Sequence, residues 1–281
     1  PVVRPCEAPA GIARLAGFLR SRGYECRTVD MNLEGLRYWI ENPDLHESSG
    51  DTWMRRALKN RFTRLKQLSD WETYGRIDRY GSAVRSLNRV LAAGVAGKNG
   101  RITLANYEDP ALSPLRSADL TRAAEEPERN PFYAYFSKRL ASLIKENPPR
   151  TIGFSLNYLT QALCTFAMIG YLRKHHGNIR VILGGGLVTS WKSRPDWRNH
   201  FTGWVDDLVS GPGEPYLANT LSLENTREES LPDYGDLPRP HYLAPGFILP
   251  YSTSRGCYWR RCAFCPEKAE ENPYCPIPPK Q

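Results

Sequence analysis

The sequence predicts an α/β protein built on a doubly wound parallel sheet, with a large helical region inserted into it. Short apolar strands alternate with amphipathic helices, most of the predicted strands end in small residues, and residues 33–149 carry mainly helix-forming stretches. Hydrophobic residues make up 41% and charged residues 24% of the 281 residues, which is typical of globular domains. No apolar run approaches the roughly 20 residues of a membrane span, and there is no signal peptide. We therefore expect a cytoplasmic protein that does not bind membranes.

The predicted elements follow one another as in a sheet wound by crossover helices. Residues 9–22 are predicted as a helix that ends at Gly23 and has an apolar face formed by Ile12, Leu15, Ala16 and Leu19. The later elements are a strand at 24–29, a strand at 151–155, a helix at about 160–175, a strand at 180–184, a strand at 206–210 and a helix at 216–223. Ligands on such sheets bind at the carboxyl ends of the strands. We expect the first strand to lie upstream of Pro1.

Residues 33–149 interrupt this pattern with helix-forming stretches at 36–41, 52–68, 82–96 and 133–145. Residues 51–100 contain eleven basic and four acidic residues, so their surplus of seven accounts for most of the net charge of +8. Such a face attracts nucleic acid, an acidic peptide or a phosphorylated small molecule. We interpret it instead as a solvated surface or one facing a further domain, and expect no nucleic-acid partner. The recurring aromatic residues are predicted to form the core of this region, namely Trp53, Phe62, Trp71 and Tyr74.

Three cysteines near the carboxyl terminus, Cys257, Cys262 and Cys265, form a C-x4-C-x2-C motif. Thiolates at this spacing favour an iron–sulfur cluster or zinc. A structural zinc ion takes four protein ligands, whereas a 4Fe–4S cluster on three thiolates keeps one iron open. Cys275 follows in a proline-rich stretch that we do not expect to fold back, so we interpret it as an ordinary thiol. A four-cysteine zinc site remains the alternative. A disulfide is disfavoured by the odd total of seven cysteines and the lack of a signal peptide.

The cysteine motif resembles that of radical S-adenosylmethionine (SAM) enzymes, and its extra residue resembles the variant of some cobalamin-binding members. The resemblance extends to residues 5–25, 181–189 and 209–214, and to the linker 231–238 that leads to 247–251. It implies a Rossmann-like cobalamin-binding domain at 1–225 with the helical insertion at 33–149, and a linker at 226–246. Residues 247–281 would then be the start of the radical SAM domain, with the first strand and cluster loop of a truncated (β/α) barrel. We expect this fragment to be inactive alone.

The resemblance also implies the cofactors and the residues that hold them. Cys257, Cys262 and Cys265 would bind the 4Fe–4S cluster, and Phe264 would lie against the adenine of SAM. Residues at the sheet edge and the preceding loop would contact cobalamin: Pro5, Glu7, Pro9, Ser155, Asn157, Tyr158, Thr160, Gly184, Gly185, Gly186, Gly211, Gly213 and Glu214. No side chain is assigned a catalytic role.

The activity that the resemblance implies is methylation of an unactivated carbon. One electron from the cluster would cleave SAM to a 5′-deoxyadenosyl radical, which abstracts hydrogen, and methylcobalamin would supply the methyl group. The reductant would be a flavodoxin or a ferredoxin, and the substrate an unknown small molecule or peptide. Two alternatives stay open: a cobalamin-bearing radical enzyme that catalyses a rearrangement or cyclisation, and a non-catalytic zinc module that binds nucleic acid.

A second motif comes close to a known cobalt ligand. Some cobalamin domains carry Asp-x-His-x-x-Gly, and Asp44-Leu-His46 is followed by Gly50 one place late. It also follows the second predicted strand rather than the first. We therefore interpret His46 as unrelated to cobalt. The lower cobalt face would then meet the loop 4–9 or the strand end 156–158.

Overall fold

The computed structural model describes residues 2–43, 52–95, 100–223, 230–263, 265 and 273–277. The helices are α1 (Ala10–Arg20), α2 (Met31–Glu41), α3 (Thr52–Lys59), α4 (Arg61–Gln67), α5 (Trp71–Tyr74), α6 (Ile77–Gly94), α7 (Ser117–Glu125), α8 (Tyr133–Glu146), α9 (Leu159–His175), α10 (Gly186–Lys192) and α11 (Gly213–Thr220). The strands are β1 (Arg101–Ile102), β2 (Tyr107–Glu108), β3 (Thr151–Ser155), β4 (Arg180–Gly184), β5 (Asp207–Leu208), β6 (Ser254–Arg255) and β7 (Cys275–Pro276). Short 3₁₀ helices lie at Pro127–Arg129 and Arg239–His241.

The α/β class is confirmed by a parallel sheet of three strands in the order β3-β4-β5. Thr151 pairs with Arg180 and Ile182 pairs with Asp207, so successive strands are joined by crossover helices. In the described residues this order does not reverse, because the strand predicted at 24–29 is not formed. The backbone there bonds to side chains instead: Thr28 N–H donates to Asp236, and Arg20 donates to the carbonyl of Cys26.

The sheet and the helical region share one core. Helix α9 is buried around its whole circumference from Ala162 to Leu172, because the sheet covers one side and helices α7 and α8 lie against it as well. Gly170 makes the closest contact, since a Cβ there would lie 1.9 Å from the carbonyl oxygen of Ala124 in α7. The region between 33 and 149 is mostly helical, as predicted, with the antiparallel pair β1–β2 in addition.

The predicted helix at 52–68 is divided at Asn60 into α3 and α4, and both pack on α6. The residues that do so are small or aliphatic, including Ala57, Leu58 and Leu65. The prediction that the aromatic residues of this region form its core is wrong. Their exposed fractions are 60% for Trp53, 53% for Phe62, 71% for Trp71 and 49% for Tyr74. The aliphatic positions alone fill the contacts with α6, so the rings lie on the outer face.

Residues 230–246 lie against α1 and α2. Asp233 N–H donates to the carbonyl of Ala13, and a Cβ on Gly17 would lie 1.9 Å from the carbonyl oxygen of Leu231. The Tyr242 hydroxyl donates to Asp30, the buried residue that caps α2. Backbone contacts and a buried polar pair are therefore among the interactions that hold this segment, together with the ion pairs of Arg20 and apolar packing. Among the described helices, none combines the length and the apolar character needed to cross a membrane.

Candidate metal segment and sheet edge

The carboxyl ends of β3 and β4 bring several of the predicted ligand residues together. Pairing of the strands continues one residue past β3, because Leu156 N–H donates to the carbonyl of Gly184. Asn157 then bridges the two strand ends: its Oδ1 accepts a hydrogen bond from Gly186 N–H at 2.9 Å, and its Nδ2 donates to Ser155 Oγ at 3.2 Å. Ser155, Asn157 and Tyr158 are exposed. The edge thus presents polar atoms to solvent beside backbone without side chains.

Gly185 is required at this edge by its conformation. Its φ of 105° and ψ of 172° lie in a region that only glycine occupies readily. A Cβ at this position would also lie 2.5 Å from the carbonyl oxygen of Leu156. The turn from β4 into α10 therefore depends on the absence of a side chain.

The end of β5 joins the same edge through α10. Gly211, with a φ of 72°, donates its N–H to Thr189 Oγ1 at 3.0 Å. The residues that follow contact α1 instead: a Cβ on Gly213 would lie 3.0 Å from Leu15, and Glu214 forms a 2.8 Å salt bridge with Arg14. Gly211 is therefore part of the edge, whereas Gly213 and Glu214 are used in helix contacts.

The predicted ligands in the amino-terminal loop are divided in the same way. Thr160 Oγ1 donates to the carbonyl of Val2 at 2.6 Å, which places the start of this loop beside the end of β3. Pro5 is buried, and its carbonyl accepts from Leu243 N–H. Glu7 is exposed, and Pro9 precedes the first turn of α1. Thr160 and Pro5 thus hold the loop in place. Of the four predicted ligands Pro5, Glu7, Pro9 and Thr160, only Glu7 is exposed to solvent.

The cysteine segment is organised by the antiparallel pair β6–β7. Arg255 pairs with Cys275, Ile277 N–H donates to the carbonyl of Thr253, and the rings of Tyr258 and Tyr274 meet edge to face at 5.8 Å. The expectation that the proline-rich stretch does not fold back is therefore wrong. The strand expected at the start of a barrel, around 247–251, is not formed either. The strand that does form is Ser254–Arg255, and its partner is antiparallel.

The described residues do not include a set of three or more His, Cys, Asp or Glu side chains placed to hold a metal ion. Cys257, Cys262 and Cys265 are half-buried free thiols, and Cys275 is exposed. The backbone has positive φ values of 65° at Gly256 and 46° at Arg260, and Cys265 N–H donates to the carbonyl of Cys262. The donors and spacing suit a soft metal centre, but the thiols have not converged. Phe264 and His46 lie outside the described residues.

The other three cysteines have a different environment. Burial raises the pKa of the Cys6, Cys26 and Cys164 thiols above the usual value. Cys164 is fully buried in α9, where its sulfur lies beside Asn130. A thiol whose pKa is raised by burial is a poor metal ligand, because the thiolate is the form that binds. We therefore do not count these residues among the candidate metal ligands.

A polar cleft lies between α2, α8 and residues 238–241. It has a volume of about 380 Å³ and is lined by Glu34, Arg37, Tyr38, Glu41, Asn42, Tyr135, Arg139, Pro238 and His241. Arg139 and the Tyr135 hydroxyl both donate to Glu34. Burial and the Glu34 charge raise the pKa of Tyr135. Its residues come from three distant segments, so no local pattern could indicate it.

Comparisons with known proteins do not assign the chain to a family. No family model matches the sequence, no curated protein matches it, and no solved structure matches the fold.

Proposed function

We propose that the chain is part of a cobalamin-dependent radical SAM enzyme that methylates an unactivated carbon. The observation that carries the proposal is the C-x4-C-x2-C motif of free thiols, preceded in the chain by a parallel α/β sheet with an open carboxyl edge. The doubly wound, Rossmann-like form of this sheet is part of the same proposal. Bound together, an iron–sulfur cluster with one open iron and a cobalamin would supply the electron for SAM cleavage and the transferable methyl group.

The cysteine segment would contribute the ligands of the cluster. Cys257, Cys262 and Cys265 lie in a stretch with positive φ values at Gly256 and Arg260. Among the described residues of this loop, the pairing of β6 with β7 spans only two residues of each strand, so binding can draw the three thiols together. Soft thiolates on a short loop are the donors that iron–sulfur clusters take. The protein would hold and orient the cofactors and exclude water and oxygen.

The sheet edge would contribute the cobalamin site. Ser155, Asn157 and Tyr158 expose polar atoms there, and the glycines at the end of β4 leave the backbone open to a large ligand. The binding of ligands at the carboxyl ends of parallel strands supports this position. Thr160 and Glu214 are less exposed than these three residues and bond to Val2 and Arg14, so they would not contact the ligand directly.

Reconstitution of the chain with iron and sulfide under anaerobic conditions tests the proposal. We expect about four iron and four sulfide per chain. Cys257→Ser, Cys262→Ser and Cys265→Ser should each abolish iron binding, because each removes one of three ligands. Cys275→Ser should leave it intact, and Cys26→Ser is a matched control, since that thiol is half-buried and distant in sequence from the motif.

One observation favours a second function, a four-cysteine zinc site. The β6–β7 pair places Cys275 opposite Arg255, two residues before Cys257, so a fourth thiol returns to the motif. In that case the chain should bind one zinc ion with closed coordination. Loss of metal in Cys275→Ser, with zinc retained in place of iron in the wild type, would establish this function and overturn the enzyme proposal.

A further inference from the structure

Helices α3, α4 and α6 carry an exposed surface in which aromatic rings and arginines alternate; we call it the α3–α6 surface and define it by Trp53, Arg56, Arg61, Phe62 and Arg89. The guanidinium carbons of Arg56 and Arg89 lie 5.7 and 5.5 Å from the centre of the Trp53 ring. The Arg61 guanidinium lies 4.4 Å from the centre of the Phe62 ring. Two adjacent helices and α6 therefore present the same pairing of ring and cation.

Most cations of residues 52–95 have no carboxylate partner among the described residues. Residues 52–95 contain ten basic and three acidic residues. Arg76 and Arg79 both form salt bridges with Glu72. Within the described parts of the chain, no acidic side chain lies within salt-bridge distance of six further cations, which are Arg55, Arg56, Lys59, Lys66, Arg85 and Arg89. Cations that are not paired with carboxylates are available to an anionic partner.

We propose that the α3–α6 surface binds single-stranded nucleic acid. Phosphates would neutralise the cations, and unpaired bases would stack on the Trp53 and Phe62 rings, which are more than half exposed. A purely solvated basic face does not account for large rings held outside the core. A duplex hides the faces of its bases, and an acidic peptide would use the charges without the rings. The combination of both features therefore fits a single strand best, and it does not depend on the proposed enzyme function.

Trp71 provides an internal contrast. It is as exposed as Trp53, but it lies between Asp70 and Glu72, and its ring contacts Tyr74 rather than an arginine. Among the described residues this ring therefore lacks the pairing with arginine that Trp53 has, so we exclude this part of the outer face from the surface. The same substitution at Trp53 and Trp71 thus separates base stacking from the general effect of removing an exposed tryptophan.

Binding of a fluorescent uridine 15-mer to the 281-residue chain, measured by anisotropy across a salt series, tests the proposal. Wild type should bind with an affinity that falls steeply with salt. The double variant Arg56→Glu/Arg89→Glu should weaken binding at least about tenfold and reduce the logarithmic salt slope by about 1.4, or about 0.7 for each lost phosphate contact. Lys138→Glu/Lys145→Glu on α8 carries the same charge change and should leave binding unaltered.

Trp53→Ala should weaken binding about fivefold or more, because one base loses its stacking partner, whereas Trp71→Ala should not weaken it. Equal binding of a duplex 15-mer, or no effect of Trp53→Ala, would overturn the stacking of unpaired bases. Polyglutamate that binds as tightly as the oligonucleotide would overturn it in favour of an acidic protein. If the wild type shows no salt-dependent binding of the oligonucleotide, the proposal that the α3–α6 surface binds nucleic acid is wrong.

Discussion

The sheet edge and the cysteine segment are both open to solvent, yet the protein organises them to very different degrees. At the sheet edge, Asn157 bridges two strand ends, and Gly185 fits against Leu156 with no space for a side chain. In the cysteine segment, a two-residue strand pair and one aromatic contact are the principal constraints in the described residues. The edge therefore has its geometry before any ligand binds, whereas under the proposed function the cysteines would gain theirs only when the cluster binds.

The largest effect that tests this comparison is expected at Gly185. Gly185→Ala should lower the free energy of unfolding by about 3 kcal/mol, because a side chain is strained at this φ and ψ and would meet the Leu156 backbone. Gly153→Ala in β3 is the matched control, since no atom lies within 4 Å of the added Cβ. It should be neutral or stabilise by about 0.5 kcal/mol. Chemical denaturation measures both, and equal effects would show that the edge is not rigidly organised.

The sequence predicts well those elements whose partners are close in the chain, and poorly those whose partners are distant. Strands β3 and β4 and helix α9 were predicted nearly to the residue, because their apolar patterns are long and their neighbours are close in the chain. The strand at 24–29 was predicted wrongly because its backbone bonds to Asp236, more than 200 residues away. Local patterns contain no information on such partners.

The site was predicted less well than the fold. The motif itself identifies Cys257, Cys262 and Cys265 as the candidate ligands. Cys275 comes back to the motif through the pairing of β6 with β7, and the prolines around Cys275 made such a pairing unexpected. Of the predicted cobalamin ligands, Pro5, Thr160 and Glu214 have protein partners that only the packing reveals. The exposed aromatic residues were misassigned because an amphipathic pattern rich in arginine does not specify which face packs inward.

A smaller effect on the free energy of unfolding is expected in residues 230–246, which lie in the chain between the sheet and the cysteine segment and pack against α1 and α2. Tyr242→Phe removes the hydrogen bond to buried Asp30 and should cost about 1–3 kcal/mol at neutral pH. Tyr234→Phe is the matched control, because the buried Tyr234 hydroxyl has no hydrogen-bond partner among the described residues. Its removal should be close to neutral. A similar loss in both variants would mean that packing, and not the polar pair, holds the segment.

The same pair makes stability depend on pH. Burial raises the pKa of Asp30 above its usual 3.8, against the lowering effect of its hydrogen bonds from Leu33, Tyr242 and Asn32. The folded state then binds the proton more tightly than the unfolded state, so the stability contributed by Asp30 is full below pH 3.8 and is lost as pH rises through the folded pKa. Tyr242→Phe raises that pKa further. The cost of Tyr242→Phe should therefore shrink as pH falls through the raised folded-state pKa values of the two proteins, and should have reached its minimum by pH 3.8, in denaturation curves recorded at each pH.

The smallest effect on stability should come from the exposed face of β3, where it separates ligand binding from folding. Ser155 and Thr151 point to the same exposed face, at the carboxyl and amino ends of the strand. Thr151→Phe should change the free energy of unfolding by no more than about 0.5 kcal/mol, because surface substitutions seldom do more. Ser155→Phe also removes the exposed hydrogen bond from Asn157, so its cost should stay within about 1 kcal/mol. Only Ser155→Phe covers the edge beside Asn157 and Gly186. If cobalamin binds there, hydroxocobalamin should be retained through gel filtration by wild type and Thr151→Phe but not by Ser155→Phe. Retention by all three proteins would place the ligand elsewhere, and retention by none would leave the edge without a cobalamin role.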